Sequence, residues 1–165
     1  MENKKLYNII LPIWLLIYVP KVWLITMPAN FVIDSVVLFV AMNLLKVEKV
    51  KENFSKCIFK VWIFGFLADF VGVIFMMIGA FGFFNQGQSK IGEALRWNPF
   101  DNPIAFIWTL ISVTIAGVSI YFLDKKFALR GLNMEESIKN KIAIVMAIVT
   151  APYVMFIPTN AFINH

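Results

Sequence analysis

Between Asn8 and Leu45 the only charged side chains are Lys21 and Asp34. A single helix over that stretch would run to about 57 Å, nearly twice the ~30 Å hydrocarbon core of a bilayer. Backbone immersed in lipid has to satisfy its own polar groups, so the stretch predicts two helices joined by a tight turn. The turn is predicted at Thr26-Met27-Pro28, where Thr26 caps the incoming helix and Pro28 suits the first turn of the next. A turn at Pro20-Lys21 is the alternative, but it leaves the first helix too short to span without thinning the bilayer.

A soluble core also contains apolar helices, so composition has to decide between the two settings. Hydrophobic residues make up 60% of the 165 and charged residues 15%, against roughly 45–50% and 25% in a soluble domain. The mean hydropathy of +0.77 comes from long runs rather than a short amphipathic period, which is the pattern of lipid-facing helices. Five spans are predicted: Asn8 to Met27, Pro28 to Leu45, Val61 to Phe84, Asn102-Pro103 to Leu123, and Ile142 to Ile163. The fourth opens on an asparagine cap followed by proline at the first helical position. The fifth is the buried part of a helix starting earlier, with Asn133 and Glu136 as a capping-box variant. All five are needed for one bundle, so residues 1–165 are expected to form a single all-α domain.

Basic residues set the orientation. Lys4 and Lys5 precede the first span; Lys46, Lys49, Lys51, Lys56 and Lys60 follow the second; Lys125, Lys126, Arg130, Lys139 and Lys141 follow the fourth. The remaining loop has only Lys90 and Arg96, so the positive-inside rule puts the N-terminus in the cytoplasm and Ile163-Asn164-His165 outside. Five crossings make this pattern alternate correctly. The net charge of +5 is then a topology signal, and a nucleic-acid partner is not expected. The run from Lys46 to Lys60 has Val47, Val50, Phe54 and Ile58 at helical spacing. It reads as an ordinary positive-inside loop, with a helix lying on the anionic leaflet as the weaker alternative. The outer segment from Asn85 to Asn102 reads as a short amphipathic helix at the headgroups, with Trp97 and Phe100 as anchors. A lid or a partner surface is the weaker reading there.

Ionisable groups within the spans are the candidate site. They are costly in lipid and usually face a bundle interior or a water-filled cavity. The predicted hairpin places Lys21 and Asp34 at matching depth, roughly 9–10 Å below the outer surface, so they are expected to pair across it. Asn30 lies one turn before Asp34 and can add a hydrogen bond. Asp69 falls near mid-bilayer on a face shared with Gly65 and Gly72, part of a seven-residue glycine repeat that continues to Gly79. Small-residue strips at Ala105, Thr109, Ser112, Ala116 and Ser119, and at Ala143, Ala147 and Ala151, predict close packing of the last three spans, with Thr109 and Ser112 as neighbours of Asp69. The candidate substrate- or ion-binding residues are therefore Lys21, Asn30, Asp34, Asp69, Thr109 and Ser112. A purely structural reading, with Lys21 pairing Asp34 and a hydroxyl satisfying Asp69, weighs about equally.

Other chemistry is thin. The single cysteine, Cys57, and the single histidine, His165, offer no disulfide, metal-ligand set or cofactor motif. No HExxH or GxSxG motif is present, so no catalytic residues are assigned and an enzyme is not expected. The first apolar run contains Tyr18, Pro20 and Lys21 and lacks a small-residue cleavage site, so it does not read as a signal peptide. Richness in Lys, Asn, Ile and Phe suggests an AT-rich, bacterial genome. The resulting expectation is a multi-pass protein of a bacterial cytoplasmic membrane that binds or transports a small polar solute or ion. The alternative is a non-catalytic accessory or regulatory subunit, with a membrane-protein partner or a second copy of the chain docked on its small-residue strips.

Overall fold

The computed structural model describes residues 20–84 and 89–158, with side chains from Met27 onward. Among the described residues the fold is all-helical: α1 (Pro20–Leu44), α2 (Val50–Met77), the short α3 (Lys90–Trp97), α4 (Pro103–Leu123) and α5 (Glu136–Val149). Four helical stretches, Met27–Leu44, Val50–Phe83, Pro103–Ala128 and Glu136–Phe156, are long and apolar enough to cross a membrane. Their outward faces carry Val32, Ile33, Val36, Ile74, Ile107 and Ile148, exposed apolar side chains of the kind a bilayer covers. This agrees with a multi-pass membrane protein. The first twelve positions of the first predicted span, 8–19, lie outside the described residues, as do Lys4, Lys5 and the chain beyond Pro158.

The predicted turn at Thr26-Met27-Pro28 does not form. α1 runs unbroken from Pro20 through Pro28 to Leu44. Pro28 removes one backbone hydrogen bond without ending the helix, and the Met27 carbonyl accepts a hydrogen bond from Trp62 Nε1 on α2 at 3.1 Å. α2 also departs from expectation, since it begins at Val50 rather than Val61. The apolar positions of the lysine-rich run are used in packing: Val47, Cys57 and Ile58 are buried, and Phe54 packs against them. Neither a solvated loop nor a surface-lying helix describes it.

α2 is the centre of the bundle, with α1 against one side and α4 against the other, while α5 packs on α4 and α1. Two apolar clusters fill it. One joins Leu38, Met42, Val47, Val61, Ile120, Leu129, Ile142 and Met146 at the end where the α1–α2 and α4–α5 connections meet. The other joins Val73, Met76, Leu95, Ala105, Val113 and Met155 at the opposite end. α3 is not merely resting on a surface, since Ala94 and Leu95 are buried in this second cluster. Lys46, Lys49, Lys125, Lys126 and Arg130 all belong to the first end, here called the lysine-rich end.

Helix ends follow local chemistry where that chemistry is strong. Asn102 Oδ1 accepts hydrogen bonds from the backbone N–H groups of Ile104 (2.9 Å) and Ala105 (3.4 Å), and Pro103 opens α4 as predicted. Replacing Asn102 by alanine is expected to cost about 1 kcal/mol, read as a lower thermal midpoint of the detergent-purified protein. An unchanged midpoint would show that the cap carries no stability. The predicted Asn133–Glu136 capping box is absent: the cap position of α5 is Glu135, with no side-chain bond to the helix. α5 itself stops at Val149, and a 3-10 turn at Tyr153–Phe156 follows Pro152, which lacks the N–H a continuing helix needs.

Candidate functional site

One face of α2 organises the interior. Cys57, Val61, Gly65 and Asp69 recur every fourth residue and so stack along a single stripe about 18 Å long. Gly65 is the point of contact with α1: a Cβ built on it would lie 3.5 Å from Asp34 Oδ2. A Cβ there would be in ordinary van der Waals contact with the carboxylate, so Asp34 packs against α2 at this point. Asp34 is 6% exposed and Asp69, one turn farther along α2, is 9% exposed.

A third carboxylate joins them. Asp124 follows the last residue of α4 and opens a π-helical turn, Asp124–Ala128, in which the Leu129 N–H bonds back to the Asp124 carbonyl at 2.8 Å. Its side chain is 0% exposed, and its turn packs against α2, where Ala128 and Leu129 join Cys57 and Val61 in one apolar cluster. Asp124, Asp34 and Asp69 thus come from three helices and lie along the α2 stripe from its lysine-rich end inward. Both carboxylate oxygens of Asp124, and Oδ1 of Asp69, are buried without a hydrogen-bond partner. The Ser35 hydroxyl, beside Asp34 in the chain, is in the same condition.

No cation compensates them among the described side chains. The ion pairs there are Lys56–Glu52 and Lys139–Glu136, both at the lysine-rich end. Lys139 is itself largely buried, yet its Nζ goes to Glu136 at 2.9 Å and not to an aspartate. Among the described residues, no three His, Cys, Asp or Glu side chains close on a point as metal ligands do. The aspartates are therefore a series of single carboxylates and not a chelate. An unpaired carboxylate in such a setting is expensive until a proton or a cation neutralises it.

The predicted site residues are only partly brought together. Asp34 lies against Gly65, one turn before Asp69 on α2, with half-buried Asn30 one turn before Asp34 on α1. Lys21 does not oppose Asp34 across a hairpin, because both lie on α1, thirteen positions and about 20 Å apart along its axis. Thr109 and Ser112 are fully buried but do not serve Asp69. Their hydroxyls donate to the Ala105 carbonyl (2.9 Å) and the Trp108 carbonyl (2.8 Å) on their own helix, and both lie within 3.8 Å of the Met76 sulfur. Met76 is seven positions, about 10 Å, beyond Asp69 along α2. Past Asp69 the interior holds the fully buried Met76, with the partly buried Trp108 beside α2. The Trp108 ring stacks on Phe75 at 4.7 Å, and its indole N–H donates to the Phe75 carbonyl at 3.2 Å.

No family model matches the chain, and no curated protein or solved structure does so. The functional reading rests on these side chains alone. Among them Asp124 was not a sequence candidate. Its signal was nevertheless present: the buried strip of α4 steps through Thr109, Ser112, Ala116 and Ile120, and one more step of four reaches Asp124.

Proposed function

We propose that this chain is a multi-pass protein of a bacterial cytoplasmic membrane that binds, and passes along its interior, a proton or small cation. Asp124, Asp34 and Asp69 are the carboxylates that receive it in turn. The observation that supports this reading is the set of three buried carboxylates from three helices, with oxygens lacking partners at Asp69 and Asp124. Ionisable groups of this kind within a bilayer usually belong to ion pathways or proton relays. Spaced single carboxylates suit stepwise transfer of one charge, since each site can be filled and emptied separately. The fully buried Met76 beyond Asp69 fits a pathway that opens to the lysine-rich side.

In this proposal the lysine-rich end is cytoplasmic, following the positive-inside rule, and the four described spans begin and end on the opposite side of the membrane. The test is a flux measurement on purified protein in liposomes. With an imposed pH gradient, or a sodium or potassium gradient, an internal dye is expected to report movement of the proton or of one of these cations. If no gradient dissipates faster than in empty liposomes, transport fails. The competing reading, a non-catalytic accessory subunit, then gains if a membrane protein co-purifies stoichiometrically.

A further inference from the structure

α4 and α5 are separated on their outer side by an open, apolar groove of ≈ 360 Å³. Its floor is made by small residues: a Cβ on Gly117 would come within 3.1 Å of the Ala147 carbonyl oxygen, so the two helices nearly touch there. Exposed Leu110, Val118, Ile144 and Ile148 form its walls. From Leu110 to Tyr121 the groove follows eleven positions of α4, about 17 Å. One leaflet of a bilayer with a ~30 Å hydrocarbon core is about 15 Å deep. The groove has the length of an acyl chain's half of the membrane.

Its end at Tyr121 carries a polar seat. Tyr121 Oη donates to Asn140 Oδ1 (2.6 Å), and Lys125 Nζ donates to Tyr121 Oη (3.1 Å) and to Asn140 Oδ1 (2.9 Å). Both partners of Lys125 are neutral. The Glu136 carboxylate, which acts on Lys125 from a distance, gives its ion pair to Lys139. An exposed ammonium, fixed at the mouth of a leaflet-deep apolar groove and paired with no carboxylate, is complementary to a phosphate with a hydrocarbon tail.

We infer that the groove between α4 and α5 binds one anionic phospholipid of the leaflet on the lysine-rich side, with an acyl chain over Gly117 and Ala147 and the phosphate at Lys125. A docked helix fits less well: one 10 Å across fills on the order of 1,300 Å³ over the same 17 Å, and so can lie on the groove but not in it. Hydrocarbon covers any apolar surface at this depth. The claim is retention of one lipid, selected by charge.

The inference rests on the bilayer reading, which alkaline carbonate extraction of membranes tests by itself. Release of the chain in that extraction overturns both. For the groove, purified full-length protein is incubated with equimolar phosphatidylglycerol and phosphatidylcholine, and retained lipid is read by native mass spectrometry. The wild type is expected to keep phosphatidylglycerol in about fivefold preference, the factor expected of one lysine–headgroup contact. Lys125→Gln removes that preference, and Thr114→Trp, at an exposed position lining the groove, displaces both lipids. Lys51→Gln, also exposed at the lysine-rich end, leaves the preference intact. Equal retention of the two lipids by carbonate-resistant protein overturns the inference alone. So does a Lys51→Gln effect as large as that of Lys125→Gln, which would mean diffuse surface attraction.

Discussion

Asp124→Asn protein is expected to fold at least as stably as the wild type while losing flux, and Asp69→Asn is expected to do the same. The sign of the stability change separates a functional carboxylate from a structural one. Removing one partner of a buried ion pair costs about 3–5 kcal/mol because it leaves the other charge uncompensated, whereas an unpaired buried carboxylate is itself costly, so neutralising it lifts that cost. Both oxygens of Asp124 lack a partner, and the ion pairs among the described residues lie elsewhere. Removing the charge therefore breaks no bond. An equal or higher thermal midpoint in detergent, together with abolished flux in liposomes, fits a residue kept for transfer at some expense of stability. A markedly lower midpoint would mean that Asp124 holds the bundle together, and the relay would lose its entry site.

Gly72→Leu is expected to disrupt the bundle more than any other single change considered. A Cβ at position 72 would come within 2.8 Å of Ala116 Cβ and 3.0 Å of the Ser112 carbonyl oxygen, contacts with a helix backbone that a rotamer change cannot relieve. α2 and α4 would have to separate, disturbing Met155 behind them and Met76 one turn along. Overpacking a well-filled interior costs about 1–3 kcal/mol and occasionally more. With the central helix pair displaced, the upper end of that range is expected, seen as aggregation or a large drop in thermal midpoint. Ala116→Gly in the same chain is expected to restore part of the loss, because it removes the nearest obstructing atom. Gly82→Leu is the control: a Cβ there meets nothing nearer than Ile78 Cγ2 at 4.0 Å, so little change is expected. If Gly72→Leu and Gly82→Leu behave alike, close approach of α2 and α4 is not what makes Gly72 necessary.

Local chemistry made some of this fold legible in sequence and misled elsewhere. The start of α4 could be read because Asn102-Pro103 satisfies the helix end with its own side chain, whatever the rest of the bundle does. The course of the chain at Pro28 could not. Thr26 and Pro28 look like a turn in isolation, but a helix loses only one backbone hydrogen bond at an internal proline and can continue through it, as α1 does. The expected Lys21–Asp34 pair failed with that turn. Position 69 was legible through its spacing from Gly65 and Gly72, since helical periodicity survives any tertiary detail. Asp124 was hidden by its neighbours: beside Lys125 and Lys126 it resembles an ordinary solvated boundary residue. Only the step of four from Ile120 along α4 gives its inward position away. Thr109 and Ser112 were correctly placed on the buried face of α4. Their hydroxyls, however, are taken by their own backbone four residues back, a local bond that competes with any partner on another helix.

The measurement closest to the central claim is carbodiimide modification in native membranes, mapped by mass spectrometry of the peptides carrying Asp34, Asp69 and Asp124. Dicyclohexylcarbodiimide partitions into lipid and attacks carboxyl groups that no ion pair protects. With partnerless carboxylates along the α2 stripe, modification of Asp69 and Asp124 at neutral pH is expected, with protection when the transported cation is present in excess. Exposed Glu48 and Glu135 should react with a water-soluble carbodiimide, and oleic acid added to the same membranes should react with dicyclohexylcarbodiimide, which together confirm that both reagents are active. If Asp69 and Asp124 stay unmodified while those controls react, the buried carboxylates are already held by partners, and the relay is contradicted.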